Sequence, residues 1–288
     1  MSWTLTQLQT FCVVADRGSM QAAATECGYT PGAVSQQMAA LSRGVGGELF
    51  LRDGRGVVLS DLGQAFLPYA RRVTREDRAA QRALGELHAG RATVRVGIFE
   101  TAGAVCCRPL LRRAAAADPP VDLVFEEVDV EQAAGAVRSG VVDVALSVHY
   151  ELVPVQLPPE VVSVRLLTEP FVQARSREPG GASTWIVPPV AETFGLAVQR
   201  ALHLAGRGQE SAHVVTDTAL MVALVEAGVG RALVNPLMLR VHPRELEVEP
   251  APRAGSRTIV ALTTRAQGRR ASVQTVLRAL EEIFAGNR

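Results

Sequence analysis

The residues best equipped for chemistry in this chain are few, and badly spaced for it. Four cysteines, Cys12, Cys27, Cys106 and Cys107, show neither a metal-ligand spacing nor a disulfide framework. Cys106 and Cys107 are adjacent and cannot easily bridge each other. Small buried thiols are the plain reading, and a redox-sensing pair is the sharper one. The histidines His88, His149, His203, His213 and His242 are scattered along the sequence. No glycine-rich phosphate loop, Ser–His–Asp arrangement or metal-spaced cluster occurs, and "GVGRAL" lacks the dinucleotide-binding pattern. The sequence thus points to no catalytic residues, no metal and no cofactor.

A different kind of chemistry is written in "GYTPGAVSQQMAAL", residues 28–41. Thr30 is suited to cap a helix and Pro31 to its first position. At 100° per residue, Val34, Met38, Leu41 and Val45 share one arc, while Gly32, Gln36, Ala39 and Arg43 point the other way, with Ser35 at the flank. A solvent-facing helix ordinarily carries Glu, Lys and Arg on such a face. Small residues permit close approach to a major groove, and Ser and Gln supply a hydroxyl and an amide for base edges and phosphates. A face docked on another protein is the competing reading.

Bulk charge does not decide between them. The formal net charge is +1, and all 30 basic residues are Arg, a side chain suited to bidentate contact with phosphate and guanine.

The elements that would position this face are legible around it. "TLTQ" at Thr4–Gln7 is a capping box, followed by Leu8, Phe11, Cys12 and Ala15 at helical spacing. Gly18 breaks that helix, Ser19 caps "MQAAATEC", and Gly28 ends it. Two helices joined by a short glycine-containing turn make a helix-turn-helix. "LFLRDGRGVVLS" then reads as a hairpin with Asp-Gly at its tip, flanked by Arg52 and Arg55.

Residues 61–90 form one amphipathic stretch. Leu62, Phe66, Tyr69, Val73, Ala80, Ala83 and Leu87 fit alternating steps of four and three, interrupted by Glu76, which suggests pairing with a second copy. Pro68 removes one hydrogen bond within it and predicts a bend.

From Arg91 strands and helices alternate. "TVRVGIF", a helix over 102–117, "VDLVFEEV", a helix over 131–139 and "VVDVALSV" read as a βαβαβ unit with a parallel sheet. A second such series follows: "VRLLTEPFVQAR", "TWIVP", a helix from Phe194, "HVVT", a helix from Asp217 and "RALVN". "RTIVALTTR" and a helix from Arg270 close the chain. Two α/β lobes make the cleft between them the natural ligand site.

With 288 residues, 48% hydrophobic and 20% charged, the chain is long enough for two or three domains with a sizeable core. No apolar run approaches the roughly 20 residues of a membrane helix. The first residues lack the pattern of a secretory signal. The expected setting is the cytoplasm, with no membrane partner.

"LQTFCVVADRGSMQAAATECGYTPGAVSQQMAAL" followed by "LFLRDGRGVVLSDLGQAFLPYA" resembles the N-terminal domain of LysR-type transcriptional regulators. "VVTDTALMVALVEAGVGRALVNPLM" is similar to that family's second-lobe helix and strand. The resemblance implies an N-terminal all-α winged helix-turn-helix over 1–60 and a linker and dimerisation helix over 61–90. A two-lobed α/β effector domain over 91–288, resembling type 2 periplasmic binding proteins, would follow. Lobe one would take about 91–163 plus 265–288, and lobe two about 164–264.

The resemblance also implies double-stranded operator DNA, RNA polymerase and a small-molecule effector as partners, and a homodimer or homotetramer. The matching DNA-reading positions are Thr30, Pro31, Gly32, Ala33, Ser35 and Gln36, with Arg52 and Arg55 in the wing. Many members have Ser-Gln-Pro where Thr30-Pro31-Gly32 stands, and Arg at Gln36, so no particular operator sequence transfers. A redox regulator of the same family, acting through Cys106 and Cys107, and a solute-binding protein are the alternatives.

In the effector domain, Thr101 lies where the first strand meets a helix N-terminus, an arrangement suited to a carboxylate. By the same resemblance, the strand ends Asp129, Ser147, Thr216 and Asn235, with Phe194 at a helix start, are expected to face the same cleft. Thr101 on a carboxylate and Asp129 on an ammonium would suit a carboxylate or amino-acid effector.

Overall fold

The computed structural model describes residues 2–54, 56–89, 91–178, 184–207 and 212–286. The chain separates into two compact units, Met1–Gly90 with Arg138–Gly140, and the rest from Arg91 onward.

The first unit opens with α1 (Leu5–Arg17), α2 (Met20–Cys27) and α3 (Pro31–Val45). The Thr4 hydroxyl accepts from the Gln7 N–H, and the Thr4 N–H donates to the Gln7 side chain at 2.9 Å, completing the capping box. Ser19 and Thr30 cap α2 and α3 in the same way, accepting from Ala22 and Ala33 N–H groups. Gly18 and Gly28 sit at φ 60° and 68°, left-handed geometry that lets each helix stop and reverse without strain. Leu8, Phe11, Val14, Ala23, Ala24, Val34, Met38 and Leu41 form the shared core.

A hairpin of β1 (Phe50–Asp53) and β2 (Gly56–Leu59) follows. Asp53 still pairs with Gly56, so the tip begins at Gly54, one residue later than the Asp-Gly spacing suggests. Arg55, beyond it, lies outside the described residues. The Phe11 ring lies 5.3 Å from Phe50 and 5.6 Å from Phe66, tying α1 to the hairpin and to the next helix.

That helix, α4 (Asp61–Ala89), runs unbroken through Pro68. The expected seam divides. Phe66 packs on the unit's own core beside buried Ala70, whereas Leu62, Tyr69 and Val73 are 39%, 66% and 48% exposed. The side chains of Ala83 and Leu87 lie outside the described residues.

The second unit holds β3 (Ala92–Ile98), α5 (Glu100–Ala115), β4 (Val121–Glu127), α6 (Ala133–Ser139) and β5 (Val144–Tyr150). Then come β6 (Val161–Pro170), β7 (Val172–Ser176), β8 (Trp185–Val187), α7 (Thr193–Leu204), β9 (Ala212–Val214) and α8 (Thr218–Glu226). Last are β10 (Ala232–Val234), α9 (Pro236–Val241), β11 (Leu246–Pro250), β12 (Ser256–Thr264) and α10 (Ala271–Ala285).

One sheet has the order β4-β3-β5-β12-β6. β3 is parallel to β4 and β5, as the first βαβαβ series requires, and α5 and α10 help bury it. β12 is antiparallel to both β5 and β6, with Ile259 opposite Val148 on one side and Leu167 on the other. This corrects the expected lobe limits. Val161–Pro170 and Ser256–Thr264 are strands of the first lobe's sheet, because their ladders lie there.

The second lobe also differs from a repeat of the parallel series. β7 lies between β10 and β11 and is antiparallel to both; β8 and β9 pair in parallel, and a bridge from Trp185 to Arg231 joins β8 to the start of β10. β6 passes into β7 through Phe171 alone, and the two strands lie in different sheets. Among the described residues, no helix is long and apolar enough to cross a membrane.

Candidate functional site

On α3, the positions expected to face outward do so. Gly32, Ser35, Gln36, Ala39 and Arg43 are exposed, Ala33 is half-buried, and Val34, Met38 and Leu41 are buried. Thr30 and Pro31 are exposed at the helix start. The neighbouring Gln37 is committed inward, its side-chain oxygen accepting from the Thr10 hydroxyl at 2.6 Å.

Between this helix and the hairpin runs a groove of about 650 Å³, bordered by Ser35, Ala39 and Ser42 on one wall and Arg52 and Gly54 on the other. Arg17 and Arg71 are engaged with Glu26 and Asp16. Among the described residues, Arg43 and Arg52 have no carboxylate partner at ion-pair distance. Their guanidinium groups therefore remain available for phosphate. Ser42 is a wall residue absent from the expected set; two turns beyond Ser35 and about one beyond Ala39, it is within reach of the same helical projection.

In the second unit, a cavity of about 370 Å³ lies between the two lobes. Four of the six expected effector residues line it: Thr101, Asp129, Phe194 and Thr216. Thr101 is buried in the first turn of α5, whose N-cap is Phe99; no side chain caps that terminus, so Thr101 is not a capping residue.

The other two expected residues are corrections. The Ser147 hydroxyl donates to the Val130 carbonyl at 3.1 Å, fastening β5 to the segment after β4, and it does not line the cavity. Asn235 is fully buried with its amide donating to the Pro170 carbonyl at 3.1 Å; it too lies off the lining. Each is tied to a backbone carbonyl, while the Asn235 Oδ1 is buried with no hydrogen-bond partner among the described residues.

The cavity floor is aromatic. Tyr150 and Phe194 rings are 5.8 Å apart and nearly parallel, and Phe171 stacks behind them at 6.1 and 6.2 Å. Burial pushes the Tyr150 hydroxyl up to about 12, so it stays protonated.

The sequence reading missed the acidic rim: Glu100, Glu127, Glu131 and Glu192 join Asp129 around the opening. Part of the signal was local, since Glu126, Glu127, Asp129 and Glu131 crowd one short stretch. Glu131 accepts from both the N–H and the hydroxyl of Thr193, at 3.0 and 2.7 Å, a bond across the lobes. Glu100 accepts from the Thr218 hydroxyl and lies 2.7 Å from His242 Nε2.

Beneath the floor, buried Arg257 donates through Nε to Glu169 at 2.7 Å, and the other Glu169 oxygen accepts from the Leu237 N–H at 2.8 Å. Cys106 is buried in the first lobe's core beside half-buried Cys107. Among the described residues, no cluster of His, Cys, Asp and Glu is arranged to hold a metal ion.

Similarity to known proteins falls on both units. Residues 5–64 match the bacterial regulatory helix-turn-helix proteins of the lysR family, and residues 88–285 match the LysR substrate binding domain. A probable hydrogen peroxide-inducible genes activator of Mycobacterium avium is 30% identical over 175 residues, 59% of this chain and 54% of that protein. The chain spans about half the length of the curated relatives it matches. Full-length OxyR from Pseudomonas aeruginosa shares the fold at a TM-score of 0.61 and 20% identity, covering 97% of this chain and 95% of that one. Full-length CbnR complexed with its target DNA superposes at 0.51 and 22% identity, covering 96% and 99%.

Proposed function

The chain belongs to the LysR family of bacterial helix-turn-helix proteins, and on that premise we propose that it regulates transcription by binding operator DNA as an oligomer, under control of a small molecule held between its two α/β lobes. The observation that carries this reading is the outer face of α3, small and uncharged from Gly32 to Ala39, beside Arg52, which has no carboxylate partner among the described residues. In it, Gly32 and Ala39 allow close approach, Ser35 and Gln36 meet base edges, and Thr30, Pro31 and Ala33 set the N-terminus against the backbone. Arg52, with Arg55, holds the flanking phosphates. The target-DNA complex of CbnR supports the same use of this fold.

The exposed stripe of Leu62, Tyr69 and Val73 on α4 supports self-association, as homodimer or homotetramer. Occupancy of the lobe cavity would change that assembly and so its contact with RNA polymerase. Genomic footprinting of the full chain tests the proposal: discrete protected sites beside promoters are expected, and binding indifferent to sequence overturns it.

A redox-sensing role through Cys106 and Cys107 draws some support from the name of the Mycobacterium avium relative. A hydrogen bond from Cys106 also lowers the Cys107 thiol below its ordinary value. Against it, that same bond and burial push Cys106 strongly upward, which keeps it an inert thiol. A Cys106→Ser, Cys107→Ser variant that keeps its transcriptional response to peroxide removes this alternative.

A further inference from the structure

The charge around the lobe cavity is lopsided. Five carboxylates border it, and Arg257 is the guanidinium on the lining. Arg257 is already neutralised: Nε donates to Glu169 and Nη2 lies 2.7 Å from the same carboxylate oxygen, with both side chains buried. His242 stands beside Glu100 and no other rim acid. Among the described residues, Glu127, Asp129, Glu131 and Glu192 have no cation at ion-pair distance. The consequence is visible at Glu192, whose carboxyl is pushed above its ordinary value by burial first, then by the charges of Glu131 and Asp129.

An anionic ligand would enter against this field. The uncapped start of α5, the natural anion seat, already bears Glu100 in its first turn. A metal ion is not favoured either, since the described acids are spread around the rim instead of converging on one point. The floor meanwhile is lined by the aromatic rings of Tyr150 and Phe194, groups that attract a positive charge and accept an apolar body.

Resting on the reading of this cavity as the effector site, we infer that the effector is an organic cation, an ammonium or guanidinium group on an apolar body. Its charge lies among Asp129, Glu131 and Glu192, and its body lies on the Phe194 and Tyr150 rings. The amino-acid expectation is thereby narrowed to molecules whose positive charge is not balanced by their own carboxylate.

Calorimetry on the full chain tests this with three chains of similar length and different charge: 1,5-diaminopentane, L-norleucine and glutarate. The diamine is expected to bind at least tenfold more tightly than norleucine, with no heat from glutarate, and its affinity should fall as salt is raised. Neutralising exposed Asp129 and half-buried Glu192 in an Asp129→Asn, Glu192→Gln variant should weaken the diamine about tenfold without unfolding the protein.

Silence from the diamine overturns the inference. If norleucine or glutarate binds instead and Phe194→Ala abolishes it, the inference falls while the cavity stands as the effector site. If diamine binding is unchanged by both Phe194→Ala and the double variant, the ligand sits elsewhere and both readings fall.

Discussion

Along α3 the outward positions are Gly32, Ser35, Gln36 and Ala39, with no charge until Arg43; around the lobe cavity they are Glu127, Asp129 and Glu131, each of them a charge. One surface is kept neutral and small so that a large, rigid, highly charged partner could come close enough for hydrogen bonds to discriminate. The other is charged over an aromatic floor, so that, on the proposed reading, a small, mobile partner would be drawn in by field and held by contact. On the proposed function, the difference teaches where specificity would reside: in shape and hydrogen bonding on α3, in electrostatics at the rim.

The largest expected effect breaks the comparison at its foundation. Glu169→Ala leaves Arg257 buried without its counter-charge, which costs about 3–5 kcal/mol, and thermal unfolding should show the second unit melting far below the parent. No substitution on the outer face of α3 should do this.

Gln36→Ala should instead alter base preference, losing about 1–3 kcal/mol of discrimination at one base pair, read by comparing operator variants in a binding assay. A uniform loss across sequences would place Gln36 among the phosphate contacts. Arg52→Ala should give that uniform loss, on the order of tenfold at moderate salt, and lower the slope of log affinity against log salt by about one.

Gly32→Ala is sharper still in what it separates. A Cβ at Gly32 meets nothing within 4 Å, and its φ is not in the left-handed region, so the helix should gain up to about 0.5–1 kcal/mol. DNA affinity should nonetheless fall, because the added methyl occupies the approach space. Unchanged affinity would show that this face does not meet DNA.

The smallest effect is at the rim. Because Glu192 has a raised pKa in the folded chain, ionising it costs stability. The deficit is absent at pH values below the ordinary glutamate range and is complete once pH passes the raised value. Glu192→Gln should therefore raise the melting temperature slightly at pH 7 and leave it unchanged at pH 3, and a saturating organic cation should erase the difference.

The helical unit was legible in the sequence because its determinants are local. Thr4, Ser19 and Thr30 cap within three residues of themselves, Gly18 and Gly28 stop what precedes them, and one 3.6-residue period sorts α3 into core and face. The effector lobes were legible as elements and less so as arrangement. Nothing within β12 announces that it will lie antiparallel between β5 and β6, since that choice is made by distant ladders. The edge strand β11 escaped notice because its alternating Glu247 and Glu249 look like a loop, although they pair with Arg175.

At the cavity, Thr101, Asp129, Phe194 and Thr216 are legible as lining residues because strand ends and helix starts converge there. Ser147 and Asn235 lie off the lining for the complementary reason: each has a backbone carbonyl within reach, from Val130 and Pro170, that only the folded chain supplies. The remaining rim acids come from separate elements, and only the run from Glu126 to Glu131 could have given them away.

Between β6 and β7 a single residue, Phe171, is all the chain that leads from one sheet to the next, and its ring is stacked against Tyr150 and Phe194. There is no slack at that joint. On the proposed function, a guest that shifted Phe194 would press on this joint, so that the message and the machinery that relays it would share one buried side chain.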